Sequence, residues 1–139
     1  MDLKEQDNKF MREALALARS QTGKTSPDPL VGALIVKNGR IISKGYHAQQ
    51  STPHAEAFAI RKAGPKAKGA TLYLNLEPCC HYGFNPPCTH AIIRSGIKRV
   101  VAAMKDPNPL VNGKGFKELK KAGIKVNVGV MQKEAVQLN

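Results

Sequence analysis

Val31-Gly32-Ala33-Leu34-Ile35-Val36-Lys37-Asn38-Gly39-Arg40-Ile41-Ile42-Ser43-Lys44-Gly45-Tyr46 is the stretch whose reading decides the fold. Two apolar, β-branched runs, 31–36 and 40–46, meet across Asn38-Gly39, the dipeptide that best tolerates the positive φ angles of a tight hairpin turn. A hairpin is antiparallel, whereas the chain beyond it alternates strands with helices, so the sheet is expected to be mixed. On the N-terminal side, Phe10, Ala14, Leu17 and Ala18 recur at helical spacing and Met11 and Leu15 widen the stripe, which predicts an amphipathic helix over 5–19. Gly23-Lys24-Thr25-Ser26-Pro27-Asp28-Pro29 is then a loop, because its two prolines cannot continue the helix.

On the C-terminal side, Thr52-Pro53 predicts a helix start, with Thr52 as N-cap, Pro53 at the first helical position, Ala55, Phe58 and Ala59 facing inward, and Gly64-Pro65 as the stop. Leu72, Leu74 and Leu76 alternate with Thr71, Tyr73 and Asn75 in a strand, followed by a loop rich in Pro and Cys over 77–87. A helix over 88–95 closed by Gly96, a strand over 99–104, a helix over 115–122 closed by Gly123, and a last strand carrying Ile124, Val126 and Val128 complete the pattern. The order αββαβαβαβ predicts an α/β fold, a three-layer αβα sandwich around a central mixed five-stranded sheet. No repeat or low-complexity linker interrupts it, and 139 residues suit one domain over 1–139.

Composition narrows the function classes. With 42% hydrophobic and 23% charged residues, the chain is an ordinary globular sequence and neither disordered nor collagen-like. The longest apolar run, 30–36, is too short for a bilayer span, and the first five residues lack the apolar block of a signal peptide. A soluble, cytoplasmic protein with no membrane partner is the expectation. The net charge of +12, from 22 Lys and Arg against 10 Asp and Glu, favours phosphate-bearing partners by steering. The lysines read as a solvated face ahead of a nucleic-acid footprint, since no arginine-rich or aromatic stacking run accompanies them. Between positions 29 and 105 there are eleven basic residues and only two carboxylates, Glu56 and Glu77.

Both carboxylates sit in motifs that carry chemistry. Pro53-His54-Ala55-Glu56 lies at one helix start; Glu77-Pro78-Cys79-Cys80 precedes the next, which opens at Cys88. Three crowded cysteines are no disulfide scaffold. One imidazole and two thiolates, His54, Cys79 and Cys88, make three ligands for one Zn²⁺ per chain, with a fourth position left for water, the arrangement of a catalytic site. Zinc lowers the pKa of such a water, and Glu56, a carboxylate outside the ligand set, can shuttle protons from it to a leaving amine. Helix N-termini favour Cys79 and Cys88 as thiolates. Cys80 reads as packing and His90 as an ordinary helix residue.

His-x-Glu followed by Pro-Cys and a second cysteine is the zinc nucleobase-deaminase signature. Here eight residues separate Cys79 from Cys88 instead of two, which inserts a loop at the pocket rim. Glu77-Pro78-Cys79-Cys80-His81-Tyr82-Gly83 with Pro86-Pro87-Cys88-Thr89 resembles the deaminase domain of bacterial bifunctional riboflavin-biosynthesis proteins, the diaminohydroxyphosphoribosylaminopyrimidine deaminases. Ser26-Pro27-Asp28-Pro29-Leu30-Val31-Gly32-Ala33, Gly45-Tyr46-His47, Asp106-Pro107-Asn108-Pro109 and Gly113-Lys114-Gly115 extend the resemblance over roughly 11–128.

The resemblance implies a cytidine-deaminase-like fold and a zinc-dependent hydrolase. The reaction it implies is removal of the 2-amino group of 2,5-diamino-6-ribosylamino-4(3H)-pyrimidinone 5′-phosphate as ammonia. It implies His54, Cys79 and Cys88 as ligands, Glu56 as proton shuttle, and His47 and His81 as pocket residues. Two positions depart from the family pattern. Asp28 stands where Asn is usual, and Phe84-Asn85 where Lys or Arg precedes Thr; both are expected to touch substrate, with Lys105 and Lys114 as candidate replacements for the missing cation. A base, pteridine or nucleic-acid substrate for the same chemistry, and a catalytically silent zinc domain serving assembly, are the competing readings. The stretch 131–139 resembles the junction that leads into a reductase domain, itself absent here, so the chain is read as a stand-alone deaminase, a degenerate paralogue or one excised domain, with a separate reductase as a partner. A homo-oligomer is expected because domains like this bury a helix and loop face against another subunit.

Overall fold

Asn38 and Gly39 take left-handed backbone angles, φ 53° and 74°, and so close the hairpin between β1 (Gly32–Lys37) and β2 (Arg40–Tyr46). The computed structural model describes residues 2–22, 30–46, 54–79, 88–109 and 112–139. β1 also pairs antiparallel with β3 (Thr71–Leu74), while β3, β4 (Arg99–Ala102) and β5 (Lys125–Val128) are parallel, giving one five-stranded mixed sheet in the order β2-β1-β3-β4-β5. The predicted αβα architecture is the one observed.

Helix α1 (Leu3–Arg19) begins two residues earlier than its apolar stripe suggests, because the Asp2 side chain accepts the Glu5 N–H at 2.8 Å and caps it. Its buried stripe, Phe10, Met11, Ala14, Leu15 and Ala18, covers one face of the sheet over Leu34, Val36, Tyr73 and Val101. The other face, Ala33, Ile35, Leu72, Leu74 and Val100, is covered by α2 (Ala55–Ala63), α3 (Cys88–Ser95) and α4 (Lys114–Lys121), which contribute Ala55, Ala59, Ile92 and Leu119. Leu72, Tyr73 and Leu74 are all buried, so β3 is covered on both faces and its alternation is one of size more than of polarity.

The strand expected over 99–104 ends at Ala102, and three further details depart from the sequence reading. Helix α2 starts at Ala55, with His54 as an extended N-cap (ψ 162°), and not at Pro53 behind a Thr52 cap; Thr52 and Pro53 lie outside the described residues. Phe58 is exposed instead of inward. Ala55, Ala59 and Ala63 form the buried stripe with Glu56 beside it, and at about 100° per residue Phe58 falls off its far side, against Tyr46 at a ring separation of 6.4 Å. Last, Gln132–Leu138 forms a helix, α5, which buries Ala135 beside α1. Seven residues are too few to show a period.

The all-alanine stripe lets α2 sit directly on β2. A Cβ at Gly45 would lie 2.1 Å from the Ala55 carbonyl oxygen, so only glycine admits this approach. Ser43 Oγ adds a 2.7 Å hydrogen bond to the Ala59 carbonyl. The start of α2, which carries His54 and Glu56, is thereby set by backbone contact with the sheet.

Candidate active site

Three chain segments converge beyond the end of β3. His54 caps α2, Cys79 lies in the turn that leaves β3, and Cys88 is the first residue of α3. His54 Nδ1 is 3.1 Å from Cys88 Sγ and 3.5 Å from Cys79 Sγ, and the three potential ligand atoms all lie within 4.8 Å of one another. A tetrahedral zinc with Zn–S near 2.3 Å and Zn–N near 2.05 Å sets S···N edges of about 3.6 Å. The trio fits that demand, and its borderline-soft N/S₂ donor set suits zinc.

Local structure explains why the segments meet. The Cys79 carbonyl accepts the Thr89 N–H at 3.2 Å and its sulfur accepts the Cys88 N–H at 3.3 Å, so the N-terminus of α3 is anchored on Cys79. Orphan donors at a helix start favour a thiolate at that point. The Cys79 thiol is held well below the ordinary thiol range, chiefly by its hydrogen bond with Cys88, against the cost of burial, with His54 adding to the effect. Cys88 moves the other way, pushed up by the same hydrogen bond and by burial. Cys88 Sγ lies 3.2 Å from Glu56 Oε1. Glu56 is 3% exposed; burial pushes its carboxyl above the ordinary carboxylate range, and His54 offsets part of the shift. A buried carboxyl raised above its ordinary range beside three metal-binding side chains is placed to take and give a proton.

The described residues bring together four of the predicted positions, His54, Glu56, Cys79 and Cys88. Asp28, His47, His81 and Phe84, expected at the substrate, and Cys80 lie outside the described residues. Lys105 and Lys114 line a common cavity of about 340 Å³ with Asn112, Phe116 and Val128, and none of the metal-binding trio contributes to that lining. His90 lies on α3, its Nε2 3.5 Å from Glu118 Oε1 on α4. Asn75 and Glu77 are both buried and had no role assigned from sequence. Asn75 holds the entry to β1, accepting the Gly32 N–H at 2.8 Å and donating to the Leu30 carbonyl at 2.9 Å. A polar residue at the end of an apolar strand was the available signal.

Residues 4–104 match the model of the cytidine and deoxycytidylate deaminase zinc-binding region. The chain belongs to this deaminase family. The riboflavin biosynthesis protein RibD of Aquifex aeolicus is 57% identical over 137 residues, 99% of this chain and 38% of that protein. A structure of Acinetobacter baumannii RibD superposes with a TM-score of 0.97 at 47% identity, covering 99% of this chain and 39% of that one. The Aspergillus oryzae Rib2 deaminase, solved in complex with DARIPP, matches with a TM-score of 0.71 at 27% identity over 88% of this chain and 83% of that one. This zinc-binding deaminase domain therefore spans well under half the length of the RibD proteins it matches. Among its described residues no helix is long and apolar enough to cross a membrane.

Proposed function

We propose that this chain hydrolyses the 2-amino group of 2,5-diamino-6-ribosylamino-4(3H)-pyrimidinone 5′-phosphate, releasing ammonia and the corresponding pyrimidinedione, as a step of riboflavin biosynthesis. The observation that carries this reading is the convergence of His54, Cys79, Cys88 and Glu56 in a chain 57% identical to a RibD protein over nearly its whole length. His54, Cys79 and Cys88 would hold one zinc ion, which would supply the Lewis acidity that makes a water easier to deprotonate. Glu56 accepts a proton from the attacking water as the C–O bond forms and returns it to the departing amine as the C–N bond breaks. Its position beside Cys88 supports the role, and so does a carboxyl whose burial favours the protonated form at mid-cycle.

Asp28, His47, His81 and Phe84 are the proposed substrate contacts, with Asp28 and Phe84 replacing the family's usual amide and cation. The free thiols Cys79 and Cys88 suit a reducing cytoplasm. A reductase, fused or separate, takes the product onward, and copies of this chain assemble as a homo-oligomer.

The test is ammonia release from the phosphorylated diaminopyrimidinone by zinc-loaded protein. Glu56→Gln should lower kcat by about 10²–10⁴-fold while one zinc per chain is retained. Zinc-loaded wild-type protein that leaves this substrate untouched but deaminates another amino-bearing base would move the assignment to that base. Equal turnover by wild type and Glu56→Gln would remove Glu56 from the chemistry.

A further inference from the structure

Glu77 stands two residues before Cys79 and is 6% exposed, yet no cation pairs with it among the described residues. Its carboxylate instead collects four backbone N–H groups from a distant part of the chain. Oε1 accepts from Asp106 and Gly113, each at 2.9 Å; Oε2 accepts from Gly115 at 2.9 Å and Phe116 at 3.3 Å. Gly115 and Phe116 belong to the first turn of α4, whose orphan donors and positive end are therefore satisfied by a residue of another segment. The next residue tightens the same contact. The Pro78 carbonyl oxygen sits where a side chain on residue 115 would begin, since a Cβ there would lie 2.4 Å from it. Pro78 itself has no N–H to donate, so the stretch from Glu77 to Cys79 is outside any strand or helix and is fixed largely by these side-chain and carbonyl contacts.

A metal ligand supplied by such a stretch is only as well placed as its supports. Ligand sets bind tightly when held within about 0.5 Å of the required geometry, and supporting partners beyond the ligands are typically worth about 10–100-fold in metal affinity. Cys79 is gripped on its C-terminal side by the Cys88 and Thr89 N–H groups. Glu77 supplies the matching grip on the N-terminal side.

We propose that Glu77 is a positioning residue for the metal site: by locking the 77–79 turn onto the start of α4 through four backbone N–H groups, it holds Cys79 Sγ in register with His54 and Cys88. The proposal rests on the reading of Cys79 as a zinc ligand. It goes beyond that reading in making α4, which supplies no ligand, part of the metal-binding apparatus.

The first experiment is a chelator competition for zinc on the wild-type chain, Cys79→Ser and Glu77→Gln, paired with the visible absorption spectrum of the cobalt(II)-loaded proteins. Gln keeps the size of the side chain but turns one acceptor oxygen into an NH₂ group that faces backbone donors. Glu77→Gln should weaken zinc binding about 10–100-fold and alter the cobalt d–d bands. Gly115→Ala, which pushes on Pro78 from the opposite side, should do the same while leaving the carboxylate intact. Wild-type zinc affinity and an unchanged cobalt spectrum in Glu77→Gln would overturn the proposal, even if the variant melts at a lower temperature. Wild-type zinc affinity in Cys79→Ser would instead overturn the ligand assignment, and the proposal with it.

If neither substituted chain folds, amide hydrogen exchange on the unsubstituted protein decides the matter. Coupling is reciprocal, so zinc binding should raise protection at the Asp106, Gly113, Gly115 and Phe116 amides. Gains confined to α2 and α3 would reject the clamp.

Discussion

Asp7 on α1 and Glu56 on α2 lie on opposite faces of the same sheet, 6% and 3% exposed, and the protein treats these two buried carboxylates in opposite ways. Asp7 receives a two-pronged contact from Arg99, at 3.0 and 2.6 Å, and the Tyr73 hydroxyl at 2.6 Å. Arg99 in turn reaches Asn127 on β5 at 3.0 Å, so α1, β3, β4 and β5 are tied by one network. The hydrogen bonds that Arg99 donates to Asp7 raise its guanidinium further, and burial with Asp7 beside it pushes the Tyr73 phenol up. Glu56 has the Cys88 thiol as its side-chain donor among the described residues, and burial raises its carboxyl. A carboxylate given strong donors is scaffold; one buried with few of them is kept ready to change protonation state.

Replacing each acid by its amide breaks or sharpens that contrast. Asp7→Asn should cost on the order of 3 kcal/mol in urea unfolding, because Arg99 is left buried without its counter-charge. Turnover per folded molecule should stay at the wild-type value. Gly45→Ala comes next, at about 1–3 kcal/mol, since its Cβ meets the Ala55 carbonyl and α2 must move. Unlike Asp7→Asn it should also lower kcat, because α2 carries His54 and Glu56. Glu56→Gln has the smallest effect on stability, within about 1 kcal/mol and of stabilising sign if any, because it removes a charge that burial penalises. A loss in Glu56→Gln as large as that in Asp7→Asn, measured at equal zinc loading, would erase the distinction between the two carboxylates.

The sheet was legible because its signals are local: Asn38-Gly39 names the turn, and parallel strands joined by single helices leave few alternatives. The four residues at the metal corner were legible for a related reason, since each sits in a short motif, three at a helix start and Cys79 in the turn that leaves β3. Glu77 was not, because its partners are backbone N–H groups some thirty to forty positions later, and a backbone donor leaves no mark in the sequence. Phe58 was misplaced because an apolar side chain at nearly the right phase was grouped with Ala55 and Ala59 on the inward face. The inward face was decided by how closely α2 approaches β2, which side-chain size reveals only when Gly45 is read with the Ala55, Ala59 and Ala63 stripe.

That alanine-on-glycine contact has a bearing on how the protein can change. Where helix α2 meets β2 at Gly45, backbone touches backbone, and no side chain there can swap rotamers or be trimmed to shift the helix's height. Variation at this contact therefore has little freedom: the residues that set the reach of His54 and Glu56 are the smallest the genetic code provides.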